Sequence, residues 1–334
     1  MSDNNPTRIL SSIVHPAPAP AGDQAFLNRE PRARLAEMTY GGALSFLRRP
    51  YSRDLGLAKA VVCGVPYDGA TSNRPGARLG PRAIRAASAE LGSSDSVPYG
   101  GNPFAVLPTI DWGDLYIEPQ LPLRVAAGIE AGAREILAGG VKLLALGGDH
   151  FVSLPLLAAT ARLHGPLALI HFDAHSDTWP DDGARNDHGT MFVRALSSGI
   201  IDANRSIQVG IRSHNPDDHG IAVLTAPAVH RMGIDATIAA IRERVGSAKA
   251  YLTFDIDVLD PAFAPGTGNP VAGGLASWQA LEILRGLSGL NIVGADVVEV
   301  SPPFDHAEIT ALAAATVAHD ILCLWAESEA AARA

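Results

Sequence analysis

Five short stretches of this chain hold residues that can do chemistry together. Asp-x-His-x-Asp runs over Asp173, His175 and Asp177, and Asp-x-Asp over Asp255 and Asp257. Gly147-Gly148-Asp149-His150 precedes them, His188 opens His188-Gly189-Thr190-Met191-Phe192, and Glu299 follows Asp296-Val297-Val298. Taken singly, such residues read blandly. A lone Asp after an apolar run, such as Asp149, is usually a helix N-cap, and a lone His on an apolar segment, such as His171, is a hydrogen-bonded core residue. Clustered carboxylates are different, because crowding raises their pKa values sharply unless something positive neutralises them. The pattern therefore points to metal. The donors are oxygen and imidazole without thiolate, which disfavours structural zinc and suits manganese, iron, cobalt, nickel or zinc. The six residues His150, Asp173, His175, Asp177, Asp255 and Asp257 are too many for one open catalytic ion. They are enough for two if two carboxylates bridge. Two divalent ions about 3.5–4 Å apart can hold a hydroxide and bring its pKa towards neutrality. Their charge is balanced by the four Asp carboxylates, so a hydroxide and Glu299 leave the site negative. The chemistry expected is hydrolysis of a cationic substrate.

These residues need elements to position them. Short apolar runs recur at Ala60 to Val65, Leu143 to Leu146, Leu167 to Phe172, Ile207 to Ile211, Tyr251 to Phe254 and Ile292 to Val298. They are continuous rather than alternating, as strands covered on both faces are. Helical patterns lie between them at Leu123 to Leu137, Leu154 to Leu163, Ser277 to Leu287 and Ala307 to Leu324. Strand alternating with helix predicts an α/β fold with a mostly parallel central sheet and helices on both faces. Ligands of such sheets bind outside the carboxyl ends of the strands, where these motifs fall. The alternation of side chains along a strand would carry Asp173, His175 and Asp177 to one side, and Asp255 with Asp257. A proline-rich stretch, His15 to Gly22, marks residues 1–40 as an arm, mobile or packed on a neighbouring subunit. Residues 41–330 read as one catalytic domain.

Composition narrows the classes further. In 334 residues, 47% are hydrophobic and 18% charged, which fits a globular chain. The net charge of −9 argues against nucleic acid as a partner. The two cysteines, Cys63 and Cys323, make neither a disulfide scaffold nor a zinc site. No signal pattern and no run of about 18 apolar residues is evident, so no membrane partner and a cytoplasmic setting are expected.

In these motifs the chain closely resembles the ureohydrolase family, which includes arginases and agmatinases, from about Val61 to Leu324. The resemblance rests on Gly-Gly-Asp-His at 147–150, Phe-Asp-Ala-His-Ser-Asp at 172–177, His-Gly-Thr-Met-Phe at 188–192, Thr-Phe-Asp-Ile-Asp at 253–257 and Asp-Val-Val-Glu-Val-Ser-Pro at 296–302. It implies a three-layer α/β/α, arginase-like fold and two divalent metal ions, usually manganese, with nickel as the alternative. One ion would be held by His150, Asp173, Asp177 and Asp255, the other by His175, Asp173, Asp255 and Asp257, with Asp173 and Asp255 bridging. His188 matches the family's catalytic histidine and Glu299 the acid that engages the guanidinium. The resemblance implies release of urea and an amine from a guanidino compound, with Asp177 carrying a proton to the leaving amine and His188 shuttling protons. It also implies a homo-oligomer, trimer or hexamer.

The substrate is less legible. The Asn-Thr and Ser pattern of arginases is absent between Asp177 and His188, and Thr178-Trp179-Pro180 with Gly210-Ile211-Arg212-Ser213-His214-Asn215 resembles agmatinases and guanidinobutyrases. Asn269 stands where relatives commonly carry Thr, and is expected to line the guanidine end of the pocket; Ala272 and Ala276 also depart from the pattern. The leading expectation is an agmatinase-like activity. The alternatives are guanidinobutyrate anchored by Arg74 or Arg185, guanidine or a biguanide with nickel, a formimino substrate, and a supporting subunit of a hetero-oligomer.

Overall fold

Runs of β-branched and aliphatic residues form eight strands in the computed structural model, which describes residues 40–91 and 99–333. The strands are β1 (Ala60–Val65), β2 (Thr109–Asp114), β3 (Lys142–Gly147), β4 (Ala168–Phe172), β5 (Ile207–Ile211), β6 (Ala222–Thr225), β7 (Ala250–Asp255) and β8 (Ile292–Val298). They pair in the order β2-β1-β3-β8-β7-β4-β5-β6, and every pairing is parallel. The arm expected over residues 1–40 lies, apart from Tyr40, outside the described residues.

The helices are α1 (Gly80–Ser88), α2 (Pro122–Leu137), α3 (Ser153–His164), α4 (Met191–Ser197), α5 (Ala226–Met232), α6 (Ile234–Val245), α7 (Ser277–Arg285) and α8 (Ile309–Ala331). Alternate strand residues feed two separate cores. Val62, Leu144, Ile170, Phe172 and Leu252 pack with α1, α5, α6, α7 and α8. Val61, Cys63, Leu143, Ala145 and Leu169 pack with α2, α3 and α4. The result is the expected three-layer α/β/α architecture.

The two strands that the sequence hides are both at edges. β2 reads Thr-Ile-Asp-Trp-Gly-Asp, and its buried Asp111 is accommodated because Arg85 donates to both carboxylate oxygens at 2.8 and 3.0 Å. β6 has four residues that alternate between half-buried and exposed. The signal for α6 was present, since Ile234, Ile238, Ile241 and Val245 fall on one helical face. The expectation that no long apolar run occurs is corrected by α8. Its most apolar window of 18 residues has a mean hydropathy of 1.6, but 78% of that window is buried inside the protein. Arg285 also pairs with Asp320 of α8 at 2.8 Å. α8 forms the centre of one helical layer.

The sheet places the chemistry at one edge. β3, β8, β7 and β4 are consecutive neighbours, and their register aligns Leu146 with Val297, Val297 with Phe254 and Phe254 with Phe172. The chain leaving this row carries His150, Glu299, Asp255 and Asp173. Gly148 sets the geometry of the β3 exit. Its carbonyl accepts from the Glu299 N–H at 2.8 Å, and the flanking N–H of Asp149 donates to Tyr67 O at 2.7 Å. A Cβ on Gly148 would lie 1.6 Å from that Tyr67 oxygen. Gly148→Ala is therefore expected to destabilise the protein by about 3 kcal/mol or more, since backbone has to move. Gly128→Ala, where a Cβ meets nothing within 4 Å, serves as the control. Urea midpoints of the two variants measure the difference; equal midpoints would contradict the packing.

Candidate metal centre and active site

The six candidate ligands converge, but not by strand alternation. β4 ends at Phe172 and the chain from Asp173 to Asp177 is irregular, with Asp177 at a left-handed φ of 50°. Asp255 is the last residue of β7 and Asp257 sits in the 3-10 turn Ile256–Val258 that follows. The expectation that the strands persist through these motifs is corrected. Turns, not pleats, aim the side chains inwards.

Backbone N–H groups at this edge orient the carboxylates. Asp173 Oδ1 accepts from the His175 N–H at 2.6 Å, Asp255 Oδ1 from Asp257 at 2.8 Å and Asp257 Oδ1 from Ala174 at 3.0 Å. The second oxygens then face imidazoles. Asp173 Oδ2, Asp177 Oδ2 and Asp255 Oδ2 lie 3.0, 2.9 and 3.2 Å from His150 Nδ1. Asp257 Oδ2 lies 3.0 Å from His175 Nδ1. Two donor groups result, one built on His150, His171, Asp173 and Asp177, the other on Asp173, His175 and Asp257, sharing Asp173. Asp255 adjoins the first.

His150 Nε2 lies 2.8 Å from Thr253 Oγ1, and that hydroxyl donates to Asp296 Oδ1 at 2.5 Å. With its hydrogen committed, Thr253 must accept the proton of His150 Nε2. Nδ1, buried and without a hydrogen-bond partner, faces three carboxylate oxygens. In the neutral ring it is a lone pair; burial favours that form, but those carboxylates oppose it by raising the imidazole pKa. Lone pairs at such spacing repel unless a cation lies between them. The carboxylates report the same crowding. Burial, then Asp257 and Asp173, push the Asp255 carboxyl well up, and burial with Asp173 raises Asp257. Burial opposes ionisation of Asp173 too, but His171, His150 and His175 outweigh it and hold that carboxyl low. The residues fit a divalent cation.

His171 is the buried core residue expected, and it has a further contact. Gln208 Nε2 donates to Ser176 O at 2.6 Å and to His171 Nδ1 at 3.2 Å, so His171 Nε2 donates to Asp173 Oδ2 at 2.7 Å. Asp149 occupies the N-cap position of the 3-10 turn His150–Val152, but its side chain does not cap it. Its Oδ2 instead accepts from the Ala70 N–H at 2.7 Å. This anchors the loop carrying Ser72, a residue the sequence reading missed. The Ser72 N–H donates to His188 Nε2 at 3.0 Å, and its Oγ lies 2.7 Å from the same atom. Asn269 Nδ2 donates to Ser72 Oγ at 3.0 Å. The far ring nitrogen, His188 Nδ1, donates to Glu299 Oε1 at 2.7 Å. Burial pulls the His188 imidazolium down, but Glu299, Asp177 and Asp149 outweigh it and push its pKa up to about 9. His188 does not cap α4.

Glu299 has a left-handed φ of 64°. Its Oε1 also accepts from the His150 N–H at 2.9 Å, whereas Oε2 is buried without a partner, as is Asn269 Oδ1. Gly268 passes so close that a Cβ there would stand 3.1 Å from Oε2. Both acceptors line a cleft of about 270 Å³ together with Asp177, Trp179, Arg185 and Asp187. Arg185 lies 3.4 Å from Asp182 and 3.6 Å from Asp187. Arg74 does not line the cleft, and its guanidinium stacks 5.1 Å from the Phe304 ring centre. Ala272 and Ala276 are also outside the lining. The Thr253 relay generates a test. Thr253→Val removes the group that orients His150 and is expected to weaken metal binding about 10–100-fold; metal content after dialysis, with the fold checked by circular dichroism, measures it.

The sequence matches the model of the Arginase family over residues 58–323. An agmatinase of Chromobacterium violaceum is 53% identical over 305 residues, covering 91% of this chain and 95% of that one. The crystal structure of a hypothetical agmatinase from Burkholderia thailandensis superposes with a TM-score of 0.89 at 54% identity, covering 92% of this chain and 99% of the other. Proclavaminate amidino hydrolase from Streptomyces clavuligerus gives a TM-score of 0.84 at 39% identity, over 87% and 100% of the two chains. Sheet order, clustered donors and likeness along most of the chain agree, and the chain belongs to the arginase family.

Proposed function

We propose that this chain is a binuclear metal-dependent amidinohydrolase that releases urea and an amine from a cationic guanidino compound, with agmatine the leading substrate. The carrying observation is the pair of donor groups sharing Asp173 beside the unpartnered Glu299 Oε2. Arginase-family proteins are hydrolases of guanidino C–N bonds with two metal ions. Residues 41–330 are proposed to act as one catalytic unit.

Two divalent ions, manganese or nickel, held by His150, Asp173, His175, Asp177, Asp255 and Asp257 would supply a nucleophile ionised near neutral pH. The protein's own groups do the rest. Glu299 and Asn269 both line the cleft and each has an acceptor oxygen without a partner, and a guanidinium carries five N–H donors in one plane. Glu299 orients that plane and matches its charge. A guanidinium on Glu299 also offsets the carboxylate charge that raises the His188 pKa, easing it towards neutrality and favouring the neutral ring whose Nε2 accepts from the Ser72 N–H. His188 then exchanges protons between the cleft and solvent, and Asp177 carries the proton to the leaving amine.

Asp187 and Trp179 also line the cleft, and an ammonium is attracted to both a carboxylate and an aromatic face. Arg185, the group that would anchor a substrate carboxylate, is already beside Asp182 and Asp187. This supports agmatine over 4-guanidinobutyrate.

Metal-stripped protein reconstituted separately with manganese and nickel, then assayed for urea from agmatine, 4-guanidinobutyrate, arginine, guanidine and a biguanide, tests the reading. Urea from agmatine is expected. No urea from any of them with two ions bound would sink it in favour of a formimino substrate or a supporting role. Asp255→Asn is expected to abolish activity and lower metal content. Glu299→Gln should cost kcat/KM about 10²–10³-fold, and His188→Asn about 10²–10⁴-fold, with metal content retained in both.

A further inference from the structure

The loop leaving β5 reads Gly210-Ile211-Arg212-Ser213, and the proposed mechanism gives Arg212 no task. Its guanidinium is nonetheless the most heavily bonded cation near the site. Nη2 donates to Asp257 O at 2.5 Å, Leu259 O at 3.2 Å and Val271 O at 2.8 Å. Nη1 donates to Gly210 O at 3.1 Å and Val258 O at 3.2 Å, and Nε to Val271 O at 3.0 Å. Each of these bonds goes to a backbone carbonyl, and among the described residues Arg212 makes no ion pair with a carboxylate. The backbone on either side is tied as well. The N–H groups of Arg212 and Ser213 both donate to Ala174 O, at 2.9 and 3.1 Å, between the ligand candidates Asp173 and His175.

Two glycines make room for this arrangement. A Cβ on Gly274 would stand 2.7 Å from Arg212 Nη2 and 2.6 Å from the Asp260 nitrogen. Gly210, at φ 98°, would with a Cβ approach Val258 Cγ2 to 2.5 Å and Asp173 O to 3.1 Å. Only a flat array of N–H donors spans five carbonyls from three chain segments; an ammonium has three donors at one point.

We propose that Arg212 is a positioning residue that locks the Asp257 turn to the segment bearing Asn269. It would thus set the second donor group, Asp173, His175 and Asp257, and one acceptor of the guanidine pocket together. The inference rests on the metal-dependent reading above.

Calorimetric titration of the metal-free protein with manganese tests it, alongside steady-state kinetics on agmatine. The wild type is expected to take up two ions per chain. Arg212→Met should keep one at wild-type affinity and bind the other about tenfold or more weakly, with KM raised more than kcat is lowered. Arg212→Lys should recover part of both. Arg212→Gln, which keeps a planar amide donor but loses most of the N–H array, should move both readouts the same way and stands in if Arg212→Met does not fold. A folded Arg212→Met or Arg212→Gln that binds both ions at wild-type affinity with an unchanged KM overturns the proposal. A wild type that binds fewer than two ions overturns the metal-dependent reading itself, and is seen without any variant.

Discussion

Repulsion among buried carboxylates is the constraint around which this protein is organised. Asp173, Asp177, Asp255 and Asp257 are each nearly inaccessible to water. Two unit charges 4 Å apart interact by about 4 kcal/mol at an effective dielectric constant of 20. No chain would hold such a set without an opposing device. The device here is a division of labour within each carboxyl group. In Asp173, Asp255 and Asp257 one oxygen takes a backbone N–H, and the other is directed at an imidazole nitrogen. The imidazoles are themselves fixed from behind, His150 by Thr253 and His171 by Gln208. Divalent cations are the natural counter-charge for what remains.

The sheet makes this arrangement affordable. Parallel strands release their chains at one edge, and β3, β8, β7 and β4 release theirs side by side at the centre. Two helical layers remove the strands from water, and that burial offsets the local strain at the edge. Asp177 and Glu299 both occupy the left-handed region without being glycine, at a cost of order 1–3 kcal/mol each. Each sits where the chain must turn sharply to bring a carboxylate inwards. Gly148 and Gly274 stand where backbone passes too closely for any Cβ, Gly210 where a Cβ would meet Val258 Cγ2 at 2.5 Å, and Gly268 where one would be tight against Glu299 Oε2.

A second network adjoins this cluster through Glu299, which accepts from the His150 N–H. Asp149 fixes Ala70, the neighbouring Ser72 contacts His188, and His188 reaches Glu299. Asn269 joins it through Ser72. His188 and Glu299 are thus linked through Oε1 of Glu299, leaving Oε2 without a partner. On the proposed reading one carboxylate would serve both the orientation of His188 and the recognition of substrate charge.

The central strands and the clustering of the candidate metal donors were legible because both leave local signatures. A strand buried on two faces must be continuously apolar, as Ile292 to Val298 is, and clustered carboxylates have few explanations other than a cation. The edge strands β2 and β6 were not legible, because a half-exposed strand of four residues or one holding a buried Asp lacks that signature. Only the tertiary structure decided how the donors converge. The sequence suggested pleating after β4, whereas the fold uses irregular turns. It alone brought Ser72 to His188 across 116 residues, turned Asp149 from a cap into an anchor, and gave Arg212 its five carbonyls. The physical reason is that ligand identity is a property of side-chain chemistry, which the sequence states. Orientation is a property of hydrogen bonds between segments far apart in the chain, which exist only once the sheet has set its order.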